Sequence, residues 1–96
     1  MSAPQLPVAP FRLGRIVATP HALKVISNQD ILAAISRHQT GDWGELTSAE
    51  DRVANDRSLV DGTRILSAYR SASGLKFWII TEADRSATTI LLPEDY

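Results

Sequence analysis

Hydrophobic and polar residues alternate over the last third of the chain with the period of two that is typical of β-strands. Residues 65–70 follow this pattern, residues 71–74 form a turn signal (Ser-Ala-Ser-Gly), and residues 75–80 return as a second strand. Because residues 77–80 are apolar on both faces, we expect this strand to lie inside the sheet. Residues 88–92 are then expected to pair on its other side, so the pattern predicts a C-terminal antiparallel β-meander.

A short strand and a short helix are predicted before residue 27. Residues 15–18 are β-prone, and we expect them to join an edge of the sheet. Thr19 and Pro20 follow with a helix cap and a proline that suits the first helical turn, where its missing N–H is not needed. The short helix is predicted to extend to residue 26.

A longer helix is predicted from apolar residues that recur at helical spacing between a start signal and a stop signal. Either Ser27 or Asn28 can cap its beginning, and Gly41 is expected to end it. Its predicted inward stripe consists of Ile31, Leu32 and Ile35, with Ala34 and His38 beside it.

A third helix is predicted from the spacing of Thr47 and Glu50, which is that of a capping box. The helix is expected to end near residues 61–62. Its predicted inward residues are Ala49, Val53 and Val60, with Leu46 just ahead.

These elements predict one α+β domain over residues 11–96, with a three- to four-stranded antiparallel sheet and about three helices packed on one face. A chain of 96 residues is too short for a separate cofactor domain. Residues 1–10 contain prolines at every third position among small and polar residues, which predicts a flexible, extended tail.

Composition and charge narrow the classes of partner. The formal net charge of −1 makes nucleic acid an unlikely partner, because phosphate binding relies on clustered cations. The absence of cysteine excludes disulfides and thiolate metal sites and fits a cytoplasmic protein. No apolar run approaches the roughly 18 residues that a membrane span needs. We expect no cofactor and no membrane association.

The loop around residues 41–44 holds three candidate functional residues. His38 could act as a general base if Asp42 fixed its tautomer, or it could relieve the helix dipole and fill the edge of the core. Trp43 could be a plug that the core takes up or an anchor for a partner. The plug is favoured, because each aromatic side chain can bury on the order of 150 to 250 Å² and this chain has few.

Glu82, Asp84 and Arg85 form a charged reversal after the inner strand. The two carboxylates could bind a divalent cation if they converged with another ligand such as Asp42 or Asp61, and the arginine could then steady a phosphate. Alternatively, Asp84 forms the turn through its own backbone bonds and Arg85 pairs with one of the two acids. The reversal could also be a charged rim for a partner.

The segments GRIVATP, HQTGDWGEL and WIITEADRSATTILLPEDY, in this order, resemble a family of small proteins carried on plasmids and in prophage-like regions. Members are described as plasmid-related proteins or as a type I restriction endonuclease subunit M. The resemblance covers residues 11–96 and implies an accessory protein of a mobile element. The methyltransferase label does not fit, since the chain has no Gly-rich strand-to-helix loop for a nucleotide-like cofactor.

Two functions stay open. The first is a binding protein without a cofactor that acts on a host or phage protein, one form being the modulation of a host defence complex. It is favoured because the sequence contains no complete catalytic set, and its candidate contact residues are Asp42, Trp43, Glu82, Asp84 and Arg85. The alternative is a small metal-assisted hydrolase or nuclease that uses His38, Asp42, Glu82, Asp84 and Arg85.

Overall fold

A computed structural model describes residues 11–46 and 48–96. Over these residues the chain has the predicted α+β fold, with three helices and a four-stranded sheet. The helices are α1 (Pro20–Val25), α2 (Asn28–Gln39) and α3 (Ala49–Asp61), and the strands are β1 (Arg15–Ala18), β2 (Ile65–Arg70), β3 (Lys76–Thr81) and β4 (Ala87–Leu91). A single 3₁₀ turn, Pro93–Asp95, follows β4. The predicted tail over residues 1–10 lies outside the described residues.

The sheet has the strand order β1-β4-β3-β2. The antiparallel meander of β2, β3 and β4 is confirmed, and β3 is an inner strand as expected. β1 joins the edge beside β4, as expected, and runs parallel to it, so the sheet is mixed, with the three strands of the meander antiparallel. A hairpin turn would have fixed the direction of β1, whereas the long connection through three helices allows either direction.

Each of the three helices begins at a hydroxyl cap. Thr19 accepts a hydrogen bond from the amide of Ala22, as predicted, and Ser27 is the cap of α2. The cap of α3 is Ser48, which accepts a hydrogen bond from the amide of Asp51. Thr47, the predicted cap, lies outside the described residues.

The helix α2 buries a different stripe from the one predicted. Ile31, Ala34 and His38 are buried and Ile35 is partly buried, but Leu32 is 67% exposed. The prediction that Leu32 faces inward is wrong, because the helix is rotated so that Ala34 and His38 face the core and Leu32 faces outward.

The inward face of α3 is polar rather than apolar. Val53 and Val60 are 57% and 85% exposed, so the predicted inward stripe is wrong. The buried side chains of the helix are Asn55 and Ser58. Asn55 donates to the carbonyl of Leu66 and accepts from its amide, which means that α3 packs against the backbone edge of β2.

The core lies between the sheet and the helices on one of its faces. α1 and α2 pack on the face that carries Tyr69, Phe77, Ile79 and Ile90. A second cluster joins Phe11, Trp43 and Leu46 to Ile65 and Ala68 of β2.

The outer edge of β2 is closed. Besides the two bonds from Asn55 to Leu66, the amide of Ala68 donates to the carbonyl of Trp43, and the carbonyl of Ala68 accepts from the amide of Glu45 at 2.6 Å. The outward backbone groups of Leu66 and Ala68, which an edge strand would otherwise expose, are therefore used within the fold.

Candidate functional site

Trp43 is a core plug. Its side chain is 4% exposed, and its indole N–H donates to a carboxylate oxygen of Asp56 at 2.9 Å. The ring also packs near Phe11 and His38. In this conformation, Trp43 offers almost no surface that a partner could contact, so the anchor interpretation has no support from its position.

Asp42 does not orient His38. Its carboxylate accepts two hydrogen bonds from the guanidinium of Arg37, at 2.7 and 3.2 Å, and one from the amide of Gly44 at 3.0 Å. The bonds from Arg37 are the main reason that the pKa of Asp42 lies below its usual range. The carboxylate therefore serves to fix the loop to the end of α2.

His38 lies at the centre of a buried hydrogen-bonded chain whose direction can be deduced. The Thr88 hydroxyl donates to the carbonyl of Leu13, so it accepts from the hydroxyl of Thr81. Thr81 has then used its proton and must accept from Nε2–H of His38, at 2.8 Å. A neutral ring leaves Nδ1 as the acceptor of the Ser67 hydroxyl. All the hydrogen-bonding positions of the ring are thus occupied inside the core.

The environment of His38 favours the neutral ring. Its side chain is fully buried, and this desolvation, followed by the positive charge of Arg85, lowers its pKa to about 4. A Ser67–His38 pair resembles part of a nucleophilic site, but it has no carboxylate and no opening to solvent. His38 is therefore a structural core residue in this fold.

Arg85 joins the charged reversal to α3. It is the one non-glycine residue with a left-handed backbone in the described residues, at φ 60°. Its guanidinium donates to the carbonyls of Ser58 at 2.9 Å and Thr63 at 2.7 Å. Within the described residues it makes no salt bridge to Glu82 or Asp84, so the predicted internal ion pair is wrong. Carbonyls at the end of a helix attract a cation, which explains this choice of partner.

The two acids of the reversal line one open, exposed pocket with Arg64 and Ser86, and Asp42 and His38 are not among its lining residues. The carboxylate of Asp84 accepts from the amide of Ser86 at 2.9 Å, which confirms its role as a turn former. Its contact with Ser86 also lowers the pKa of Asp84. Glu82 is exposed and follows the end of β3.

The residues proposed for a metal-assisted reaction are spread along the sheet. The Asp42 carbonyl accepts from the Tyr69 hydroxyl, and Tyr69 is paired with Phe77 at the beginning of β3. Glu82 follows the other end of β3, five residues after Phe77 and roughly 16 Å further at about 3.3 Å per residue. Among residues 11–46 and 48–96, no group of three or more His, Cys, Asp or Glu could hold a metal ion.

The outer edge of β1 has a different character from that of β2. The amides of Arg15 and Thr19 donate to the carbonyls of Ser86 and Ile90, which places the odd-numbered residues of β1 in the ladder with β4. Because the pattern alternates, the N–H and C=O groups of Ile16 and Ala18 point outward. No described residue hydrogen-bonds to these four groups.

An apolar groove lies beside this open edge. It has a volume of about 520 Å³ and runs between β1 and the helices α1 and α2. Its most exposed apolar residues are Ile16 (48%), Leu23 (57%) and Leu32 (67%). The sequence pattern does not predict the groove, because its helical spacing places Leu32 in the core. The signal that could have found it is an apolar edge strand followed by helices with more apolar positions than one buried stripe needs.

The two ends of β1 carry opposite charges. Arg15 begins the strand and is exposed. Thr19 follows its end and donates to a carboxylate oxygen of Asp95 at 2.8 Å. Asp95 also contacts His21 at 3.0 Å, and its pKa is lowered, first by the bond from Thr19 and then by that from His21.

Comparisons of the chain with protein families, with curated proteins and with solved structures found no match. The family resemblance and the functions it implies therefore stay predictions. No helix in the described part of the chain combines the length and apolar character that crossing a membrane requires.

Proposed function

We propose that this protein is a binding module that takes up an extended segment of another polypeptide along β1. The segment would add a strand to the sheet by hydrogen-bonding to the outward backbone groups of Ile16 and Ala18. Its apolar side chains would fill the groove beside Leu23 and Leu32. Binding of this kind needs no cofactor and no catalytic group.

The observation that carries the proposal is the contrast between the two edges of one sheet. Leu66 and Ala68 on the edge of β2 are bonded to Asn55 and to the loop after α2, whereas the outward groups of β1 meet no partner among residues 11–46 and 48–96 and lie beside exposed apolar residues. Exposed apolar edges favour pairing with other chains, so a fold that seals one edge and leaves the other free is suited to binding there.

The family resemblance suggests the biological setting of the binding. We propose a host or phage protein in the cytoplasm as the partner, and modulation of a defence complex as one form of the interaction. The metal-assisted hydrolase is not favoured, since its candidate residues do not share a site in the described part of the chain.

Paired variants test the surface. Proteins captured from a host lysate should be identified, purified and measured again by direct titration with the wild type, Ile16→Glu, Leu32→Glu and a control, Val60→Glu. Val60 is 85% exposed on α3 and lies away from the groove. We expect both groove variants to weaken binding at least tenfold and the control to leave it unchanged. Equal affinity for all four proteins would show that the surface is wrong.

A further inference from the structure

We propose that, in the isolated protein, where no host or phage partner is bound, the strand that occupies the edge of β1 belongs to a second copy of this chain, an inference that rests on the proposed strand-binding function. The two β1 strands would pair antiparallel about a two-fold axis at Val17 and join two four-stranded sheets into one of eight strands. Three features support this pairing: the alternation of outward and inward backbone groups along β1, the exposed apolar residues beside it, and the charges at its two ends.

The outward backbone groups of β1 can pair with those of a second, antiparallel copy of the same strand. Ile16 and Ala18 are the residues with outward N–H and C=O groups. With Val17 on the axis, Ile16 of one copy stands opposite Ala18 of the other, and each such pair can exchange two backbone hydrogen bonds. All four outward groups of each strand are then satisfied. Val17, 38% exposed, meets its symmetry mate as a non-hydrogen-bonded pair, where side chains are closest.

The apolar residues beside β1 would be covered by the same arrangement. An axis perpendicular to the sheet keeps the helical faces of both copies on the same side. Leu23 and Leu32, which are 57% and 67% exposed beside Ile16, therefore line the seam from both copies. Their burial gives the pairing a hydrophobic contribution that backbone hydrogen bonds alone would not provide.

The charges of β1 also match in this register. Arg15 of each copy stands opposite Thr19 of the other, and Thr19 holds the carboxylate of Asp95. The dimer thus contains two equivalent ion pairs, each between Arg15 of one copy and Asp95 of the other. The two Arg15 side chains are four residues apart along the paired strands, or about 13 Å, so they do not oppose each other.

Disulfide trapping tests the register directly, because the chain has no cysteine of its own. In a non-hydrogen-bonded antiparallel pair, the Cα atoms lie about 4.5 Å apart, which is within the range of a disulfide. Val17→Cys should therefore form a covalent dimer rapidly under mild oxidation, and at least tenfold faster than the exposed control Val60→Cys. Equal rates for the two variants would overturn the proposal.

The oligomeric state provides a second readout with cysteine-free proteins. The wild type should sediment as a dimer at micromolar concentration, and Arg15→Glu should raise the dissociation constant roughly tenfold, since two attractive contacts with Asp95 become repulsive. Val17→Asp should be monomeric, because two carboxylates would meet on the axis, while Val60→Asp should stay dimeric. Circular dichroism should be measured for each variant to check that it is folded.

The outcomes separate this inference from the proposed function. A wild type that is monomeric at 100 µM or more, and whose purified partner is still lost in Leu32→Glu, sinks the second-copy proposal and leaves strand binding in place. If the wild type is monomeric and its partners bind Ile16→Glu and Leu32→Glu as well as the wild type, both the second-copy inference and the proposed function are wrong. A dimer that Val17→Asp does not disrupt forms through another face and also overturns the inference.

Discussion

Burial of His38 makes the stability of the protein depend on pH. Its pKa is about 4 in the folded protein and about 6.5 in an unfolded chain. As the pH falls from 6.5 toward 4, the unfolded state therefore binds a proton that the folded state does not. Stability from this group is fully present above pH 6.5 and is lost progressively in that window.

Acidification from pH 7 to pH 4 is expected to remove up to about 3 kcal/mol of the free energy of unfolding through His38. The variant His38→Gln should be less stable than the wild type at pH 7, since it cannot match both hydroxyl partners, but should lack this part of the pH dependence. Urea unfolding of both proteins at pH 7, 5.5 and 4 measures the difference. Parallel pH profiles would contradict the assignment.

Arg85 is expected to contribute through its geometry as well as its charge. Its planar guanidinium reaches the carbonyls of Ser58 and Thr63 at once, which a lysine ammonium cannot do with the same fork. Arg85→Lys should cost roughly 1 to 3 kcal/mol of unfolding free energy, whereas Arg57→Lys, at an exposed position of α3, should change it by less than about 0.5 kcal/mol. Chemical denaturation compares the two. A similar, small effect at both positions would refute the bridging role.

At the scale of the elements, Gly44 allows the loop after α2 to seal β2. It has φ 70°, and a Cβ atom there would lie 2.0 Å from the carbonyl oxygen of Ala68. Gly62, which caps α3, has nearly the same φ of 71°, but a Cβ there meets nothing within 4 Å. An alanine at Gly62 would therefore experience only backbone strain, whereas an alanine at Gly44 would experience the same strain and a steric overlap with Ala68.

Gly44→Ala should destabilise the fold by several kcal/mol, because the loop must leave β2, while Gly62→Ala should cost only about 1 kcal/mol of left-handed strain. Thermal unfolding of the two variants is the measurement. If both lose the same amount, the close approach of the loop to Ala68 is not what Gly44 provides.

Periodicity predicted the elements well and their contacts less well. The hairpin of β2 and β3 and the caps at Thr19 and Ser27 depend on local signals, and the structure confirms them. The inward face of α3 could not be read from apolar spacing, because Asn55 packs against strand backbone rather than against side chains. The direction of β1 depends on a long connection that carries no local signal.

The candidate residues show the same limit. The short-range interaction of Asp84 with the turn was predictable, since its partner is two residues away. The partners of Arg85 and His38 lie 22 to 43 residues away for the bonds to Thr63, Ser58, Ser67 and Thr81. The sequence identified both side chains as candidates, but only the fold shows that His38 is hydrogen-bonded inside the core and that Arg85 joins the reversal to α3.

At the scale of the whole molecule, self-pairing through β1 would make stability depend on protein concentration. A species that associates only when folded gains stability from mass action. The wild-type melting temperature should therefore rise between 2 and 200 µM, and Val60→Asp should show the same rise. Val17→Asp should melt at a temperature that does not change with concentration. A constant wild-type value would contradict the pairing.

The unequal edges of the sheet also set a limit on growth. A sheet with two free edges can add neighbours at both sides without end, as fibrils do. Here Asn55 and the segment from Trp43 to Glu45 bond to Leu66 and Ala68 on the β2 side, so β1 is the edge proposed for pairing. Pairing through β1 would then stop at two molecules, and the protein would present an apolar edge strand without growing into a fibre.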